Sequence, residues 1–168
     1  TDFQKRIGVK FKDLHLLDTA FYHRSFAIET AGAAENNERL EFLGDAVLGM
    51  TAASYLYETL HDAPEGELTK IKSFVVSETS LSEIALGIGI EQCLCLGKGE
   101  EHSGGRSKKA ILADTTEAVF GALYLDSGFK TAEKLILSLL VPQIRKVLEN
   151  RHQKDYKTLL QELYQKKY

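Results

Sequence analysis

Little in this 168-residue chain would interrupt a helix or staple a small scaffold: Pro64 and Pro142 are its only prolines, Cys93 and Cys95 its only cysteines. With so few prolines nearly every backbone N–H can donate, and apolar residues recur at spacings of three and four along much of the sequence, so the chain reads as almost all helix. Cysteines two apart on an extended segment point to opposite sides and do not bridge easily. That excludes a disulfide scaffold and reads as reduced packing residues of a cytoplasmic protein. No apolar run approaches membrane-spanning length, no leader peptide is visible, and there is no internal repeat or low-complexity tract. Basic charge is scarce as well. Lys and Arg number 21 against 24 Asp and Glu, a net charge of −3, which is not the footprint of an autonomous nucleic-acid binder. What remains is a soluble composition, 43% hydrophobic and 27% charged, sufficient for one well-cored domain and a short appendage.

Periodicity predicts helices over about 13–26, 37–60, 66–75, 80–87, 110–126 and 130–149, with Gly-rich and acidic punctuation between them. Pro64 suits a helix start, followed by Glu65 and Glu67 where the helix dipole favours acids. Pro142 lies inside LILSLLVPQIRKVL and predicts a kink or break near Leu140.

The informative feature is where the acids sit. Between Leu40 and Ala53 the only polar side chains are Glu41, Asp45 and Thr51. With Glu38, the two acids recur at i, i+3 and i+7, which places three carboxylates within a helical sector of roughly 60°. From Ala110 to Leu125 the device repeats, with Asp114 and Glu117 three apart in an apolar run. Two carboxylates about 5 Å apart repel by roughly 3 kcal/mol at an effective dielectric near 20, so a cluster of them needs shared protons, basic partners or divalent cations. Arg39 is the only base in either stripe and points about 100° away from Glu38. Hard oxygen ligands without nearby His or Cys favour Mg²⁺ or Mn²⁺ over zinc, copper or iron. Acids at i, i+3 are ordinarily a solvated face, but here Phe42, Gly49, Ala118 and Gly121 flank them. Gly49 and Gly121, one turn beyond the acids, would let two helices approach and leave room for ions and substrate.

These residues carry a resemblance. NNERLEFLGDAVLG, ending at Gly49, resembles the signature of the ribonuclease III family of double-stranded-RNA endonucleases. FYHRSF around His23, EGELTKIKSFVVSE from Glu65, LGKGEEHSGGR from Leu96 and ILADTTEAVFGALYLDSGF from Ile111 resemble the family's other blocks, in order. Ala110 stands where the family often has Ser. The similarity runs from about Lys5 to Asn150. It implies an all-α, homodimeric helical bundle of the endonuclease-domain type over residues 1–150. Residues 151–168 then read as a polar linker and the first helix, DYKTLLQELYQ, of a truncated double-stranded-RNA-binding domain. The absence of that module's basic surface would explain the acidic balance.

The resemblance further implies a divalent-metal-dependent hydrolase. Mg²⁺, with Mn²⁺ able to substitute, would act in cutting double-stranded RNA to 5′-phosphate and 3′-hydroxyl ends with short 3′ overhangs during rRNA, mRNA and structured-RNA processing. Glu41, Asp114 and Glu117 would bind metal directly, Asp45 and Glu38 would complete the shell, and Glu65 would reach toward the scissile region. Catalysis would rest most on Asp45 and Glu117. Phe42 is either an intersubunit packing anchor or an ordinary core aromatic. Arg106, Lys108 and Lys109 beside the Gly104-Gly105 turn are either phosphate contacts or a solvated face. Thr158, Gln161 and Glu162 match positions that face an RNA minor groove in the intact module, or else lie on a solvated helix. A carboxylate-bridged di-iron bundle is the rival metal chemistry, but neither Glu38-x-x-Glu41 nor Asp114-x-x-Glu117 supplies a His. A catalytically silent RNA-binding relative should have lost acids, and none is missing.

Overall fold

Two long helices, α4 (Glu38–Thr59) and α8 (Lys109–Ser127), cross at a point where neither has a side chain. A Cβ on Gly44 would lie 1.8 Å from the carbonyl oxygen of Glu117, and one on Gly121 would lie 2.2 Å from that of Leu40. Only glycine fits this crossing. The expectation for Gly121 holds, whereas Gly49 has nothing within 4 Å and plays no part in the approach. Gly44 is the partner, and sequence reading passed over it.

The computed structural model describes residues 2–30 and 35–167, with side chains described as far as residue 150. Around the central pair are α1 (Asp2–Ile7), α2 (Leu14–Ala20), α3 (Arg24–Glu29), α5 (Glu65–Val75), α6 (Glu78–Ile88), α7 (Lys98–His102) and α9 (Phe129–Lys167). No strand occurs among the described residues; a single parallel bridge joins Tyr22 to Cys95. The all-α expectation is therefore met. α8 is the core helix, packed against α2, α4, α6 and α9. Phe120 and Leu123 on it are fully buried beside Leu48 and Leu56 of α4 and Ile136 and Leu140 of α9. Each such side chain contributes about 1.5–3 kcal/mol of transfer free energy. Thr115 and Thr116 are buried because their hydroxyls donate back to the carbonyls of Ile111 and Leu112, at 2.7 and 2.8 Å.

The predicted helix 13–26 is two helices. After α2, capped by the Asp13 carboxylate on the N–H of His15 at 2.9 Å, the chain turns extended at His23, which caps α3. The break is held from outside. The N–H of His23 donates to the carbonyl of Cys95, that of Cys95 to Phe21, and that of Asn37 to Tyr22, at 3.1, 2.9 and 2.9 Å. Pro142 does not break α9, whose backbone stays helical through it. The segment DYKTLLQELYQ and its candidates Thr158, Gln161 and Glu162 lie outside the residues whose side chains are described. Both cysteines are free.

Candidate metal centre

The glycine crossing places the acids. Glu41 precedes Gly44 by three residues and Glu117 precedes Gly121 by four, so each carboxylate projects one turn from the point of closest backbone approach. Carboxylate oxygens of Glu41, Asp114 and Glu117 come within 4.8 Å of one another, all three half-buried. Two of the three belong to α8 and one to α4, as the twin stripes implied.

The electrostatics are those of acids crowded together with no base in ion-pair contact, His23 and Arg24 only partly offsetting the rise at Asp114. Burial, reinforced by the charges of Asp45, Glu41 and Asp114, pushes the Glu117 carboxyl up to about 8. Glu41 is raised by burial and then by Asp114, Glu38 and Asp45. Asp114 is raised by burial and by Glu78, a first-turn residue of α6 that sequence reading did not bring to the site. Among the described residues, none of Glu38, Glu41, Asp45, Asp114 and Glu117 forms an ion pair with Lys, Arg or His. Protons or a cation must therefore offset the repulsion.

The remaining candidates are distributed unevenly. Asp45 and Glu38 are exposed on the same face of α4; Asp45 enters the fields of both Glu41 and Glu117, and Asn36 donates to Glu38 at 3.1 Å. Glu65 is exposed at the start of α5, accepts from the Thr69 hydroxyl at 2.7 Å, and is not among the charges shifting the three clustered acids. Phe42 is 81% exposed, so it is not a core aromatic. It borders a cleft of about 930 Å³ that Leu16, Leu40, Leu43 and Leu125 also line.

The basic candidates are largely engaged within the protein. The guanidinium of Arg106 grips the Glu101 carboxylate with two nitrogens and donates to the carbonyls of Glu91 and Leu94. It fastens the 91–107 loop rather than standing free for phosphate. Lys108 pairs with Glu100 at 2.6 Å at the rim of the acidic cleft, and Lys109 is exposed in the first turn of α8. That cleft, about 400 Å³, is lined by Glu38, Glu41, Glu100 and Asp114 together with His23, Arg24 and Lys108. His23 lies within a motif quoted above for its resemblance, but nothing in its spacing marked it as a neighbour of the acids. Burial lowers its basicity.

Comparison with known proteins gives a consistent result. The family described as Ribonuclease-III-like matches residues 13–144. Ribonuclease 3 of Treponema denticola is 61% identical over 99% of this chain and 68% of its own length; that of Treponema pallidum is 54% identical over 98% and 66%. The chain thus spans about two thirds of these relatives. Among solved structures, the nuclease domain of ribonuclease III from Campylobacter jejuni superposes with a TM-score of 0.77 at 37% identity, covering 82% of this chain and 93% of that one. That structure is described as flexible in a region involved in dimer formation.

Proposed function

The chain belongs to the ribonuclease III family of double-stranded-RNA endonucleases, and from that premise we propose that its acidic cleft hydrolyses phosphodiester bonds of duplex RNA with Mg²⁺, Mn²⁺ substituting. The observation that carries this reading is the convergence of Glu41, Asp114 and Glu117 within 4.8 Å, half-buried and without a basic partner.

The donor set fits a hard divalent cation: carboxylates only, short of ideal charge balance by more than one positive charge. Glu41, Asp114 and Glu117 hold the cation, while Asp45 and Glu38, exposed beside them, extend the negative face toward solvent. When bound, the ion supplies charge stabilisation at the phosphate oxygens and lowers the pKa of water. The protein contributes placement. Acids fixed on two helices that meet backbone to backbone cannot drift apart, so the electrostatic arrangement is in place before substrate arrives. Because Glu117 holds a proton up to about pH 8, cation binding near neutrality releases that proton. Glu65, from the neighbouring α5, is assigned an outlying role near the scissile strand.

The family match over 13–144 supports residues 1–150 as the endonuclease unit; 151–168, expected as a linker and a new helix, continue the backbone of α9 as far as Lys167, and are read as leading into an RNA-binding module in which Thr158, Gln161 and Glu162 would face a minor groove. The active form is read as a homodimer. An aromatic as exposed as Phe42 beside a cleft that Leu16, Leu40, Leu43 and Leu125 line together with polar residues is self-complementary, so a two-fold axis would seat each Phe42 in its partner's cleft. No described helix is long and apolar enough to cross a membrane, and action in the cytoplasm on rRNA, mRNA and other structured RNA suits the reading. The deciding experiment incubates the chain with a long RNA duplex with and without Mg²⁺ and maps the ends. Products with 5′-phosphates, 3′-hydroxyls and short 3′ overhangs are expected; equal cutting in excess chelator, or preference for single strands, would refute it.

A further inference from the structure

The ring of His23 borders the acidic cleft, and two groups of Ser25 engage its Nδ1. The backbone N–H of Ser25 donates to Nδ1 at 3.3 Å, capping α3. The Ser25 hydroxyl lies 2.8 Å from the same nitrogen. That hydroxyl oxygen also accepts the N–H of Gly97 at 2.9 Å; with Nδ1 already accepting from the Ser25 N–H, the hydroxyl meets it as a donor. Gly97 cannot carry a side chain, since a Cβ there would sit 2.6 Å from the Ser25 carbonyl oxygen. An N–H can donate only to a nitrogen without a proton, so Nδ1 is an acceptor and the ring hydrogen is on Nε2.

Nε2–H has no protein acceptor among the described residues. Glu100, then Arg24, Asp114 and Glu38, are near enough to act on the ring electrostatically, yet Glu100 is paired with Lys108 and no carboxylate is hydrogen-bonded to the ring. A neutral donor is thus held in a cleft that Glu38, Glu41, Glu100 and Asp114 also line. A polyanionic substrate entering this cleft meets repulsion from the acids and finds in Nε2–H a group already oriented to donate. Resting on the hydrolytic reading above, we propose that His23 is a substrate-positioning residue whose Nε2–H donates to a non-bridging phosphate oxygen of the strand being cut, and that Ser25 fixes its tautomer.

Two substitutions in the full chain separate the ring's two tasks. His23→Asn retains an acceptor for the α3 cap and removes the donor; His23→Gln extends an amide toward the place of Nε2 and weakens the cap. Loss of one preorganised donor costs about 10²-fold in rate. We expect His23→Asn to slow single-turnover cleavage by about that factor, with duplex affinity in Ca²⁺, Mn²⁺ affinity by electron paramagnetic resonance and melting temperature all little changed, and His23→Gln to recover at least about tenfold of the loss. Nitrogen-15 NMR of the metal-free chain should show His23 as the Nε2–H tautomer, and Ser25→Ala should mix the two. The proposal is overturned by an Nδ1–H tautomer in the wild type, by a wild-type rate in His23→Asn, or by losses in both variants that follow melting temperature alone. A tenfold drop in Mn²⁺ affinity would also overturn it, making the ring a support for Asp114. A wild-type chain that does not cut duplex RNA in Mg²⁺ sinks the hydrolytic reading and this one with it.

Discussion

Replacing Glu117 by Gln should stabilise the metal-free protein, and only at high pH. The carboxyl has an ordinary value of 4.5 and is pushed up to about 8 in the fold. The folded state therefore binds a proton that the unfolded chain gives up over that interval, and metal-free stability must fall as pH climbs from about 4.5 to 8. Ionised pairs at 4.8 Å repel by about 3 kcal/mol each at an effective dielectric near 20. At face value the rise corresponds to a destabilisation of about 5 kcal/mol once Glu117 is ionised in both states. Solvent reaching the rim of the cleft screens this to about 1–2 kcal/mol. Glutamine keeps the shape and removes the charge. In excess chelator at pH 9 the variant should melt about 2–8 °C above wild type, a gap that narrows toward pH 4.5 and closes below it, where wild-type Glu117 is protonated folded or unfolded. Added Mg²⁺ reverses the order, because only wild type retains the full ligand set, and saturation at a hundred times the dissociation constant adds about 2.7 kcal/mol. The assay is thermal melting by circular dichroism across pH, with chelator or Mg²⁺. A variant no more stable than wild type at pH 9, or a gain independent of pH, would refute the account of a repulsive cluster awaiting a cation.

Three further outcomes follow from the geometry. Gly44→Ala must drive α4 from α8 and should cost about 3 kcal/mol or more, whereas Gly49→Ala meets nothing and should gain about 0.5–1 kcal/mol, both read from denaturant unfolding. Phe42→Asp should leave a folded monomer in sedimentation equilibrium, and an unchanged dimer would remove Phe42 from the interface. Arg106→Ala strands the carbonyls of Glu91 and Leu94 and should lower stability by about 1–3 kcal/mol with little change in the salt dependence of duplex binding; a drop of one unit in that slope would instead mark a phosphate contact.

Local periodicity made the acidic helices legible. The predicted 37–60 and 110–126 lie within about two residues of α4 and α8, because embedded acids are visible against an apolar helical pattern. What escaped was decided by other parts of the chain. The break after Ala20 depends on the pairing of Tyr22 with Cys95, more than seventy residues away, and nothing between 13 and 26 encodes it. Gly44 and Gly49 are equivalent as sequence signals; the crossing point of α4 and α8 selects the first. α1 and α7, of six and five residues, are too short to display a period. Arg106 looked like a free cation beside a glycine turn, and its engagement depends on carbonyls that only the folded 91–107 loop presents to it.

The crossing also explains how the chain tolerates a site that works against its own folding. Glu41, Asp114 and Glu117 would separate if their helices could slide, since distance is the cheapest relief of like-charge repulsion. Sliding is opposed because the Leu40 and Glu117 carbonyls occupy the space left by the missing side chains of Gly121 and Gly44, and a shift would carry them toward positions that bear a Cβ. Close packing of α8 by α2, α4, α6 and α9 supplies the free energy that holds the acids together, in a part of the core where Phe120, Leu123 and Leu48 are fully buried. Strain that cannot relax by movement can relax only by charge, through protons below about pH 8 or through a cation that displaces them. If the cluster binds a divalent ion as proposed, the rigidity that makes the metal-free cluster unfavourable would favour that binding, and loosening the Gly44–Gly121 contact should weaken Mn²⁺ affinity in a titration even with all five acids in place.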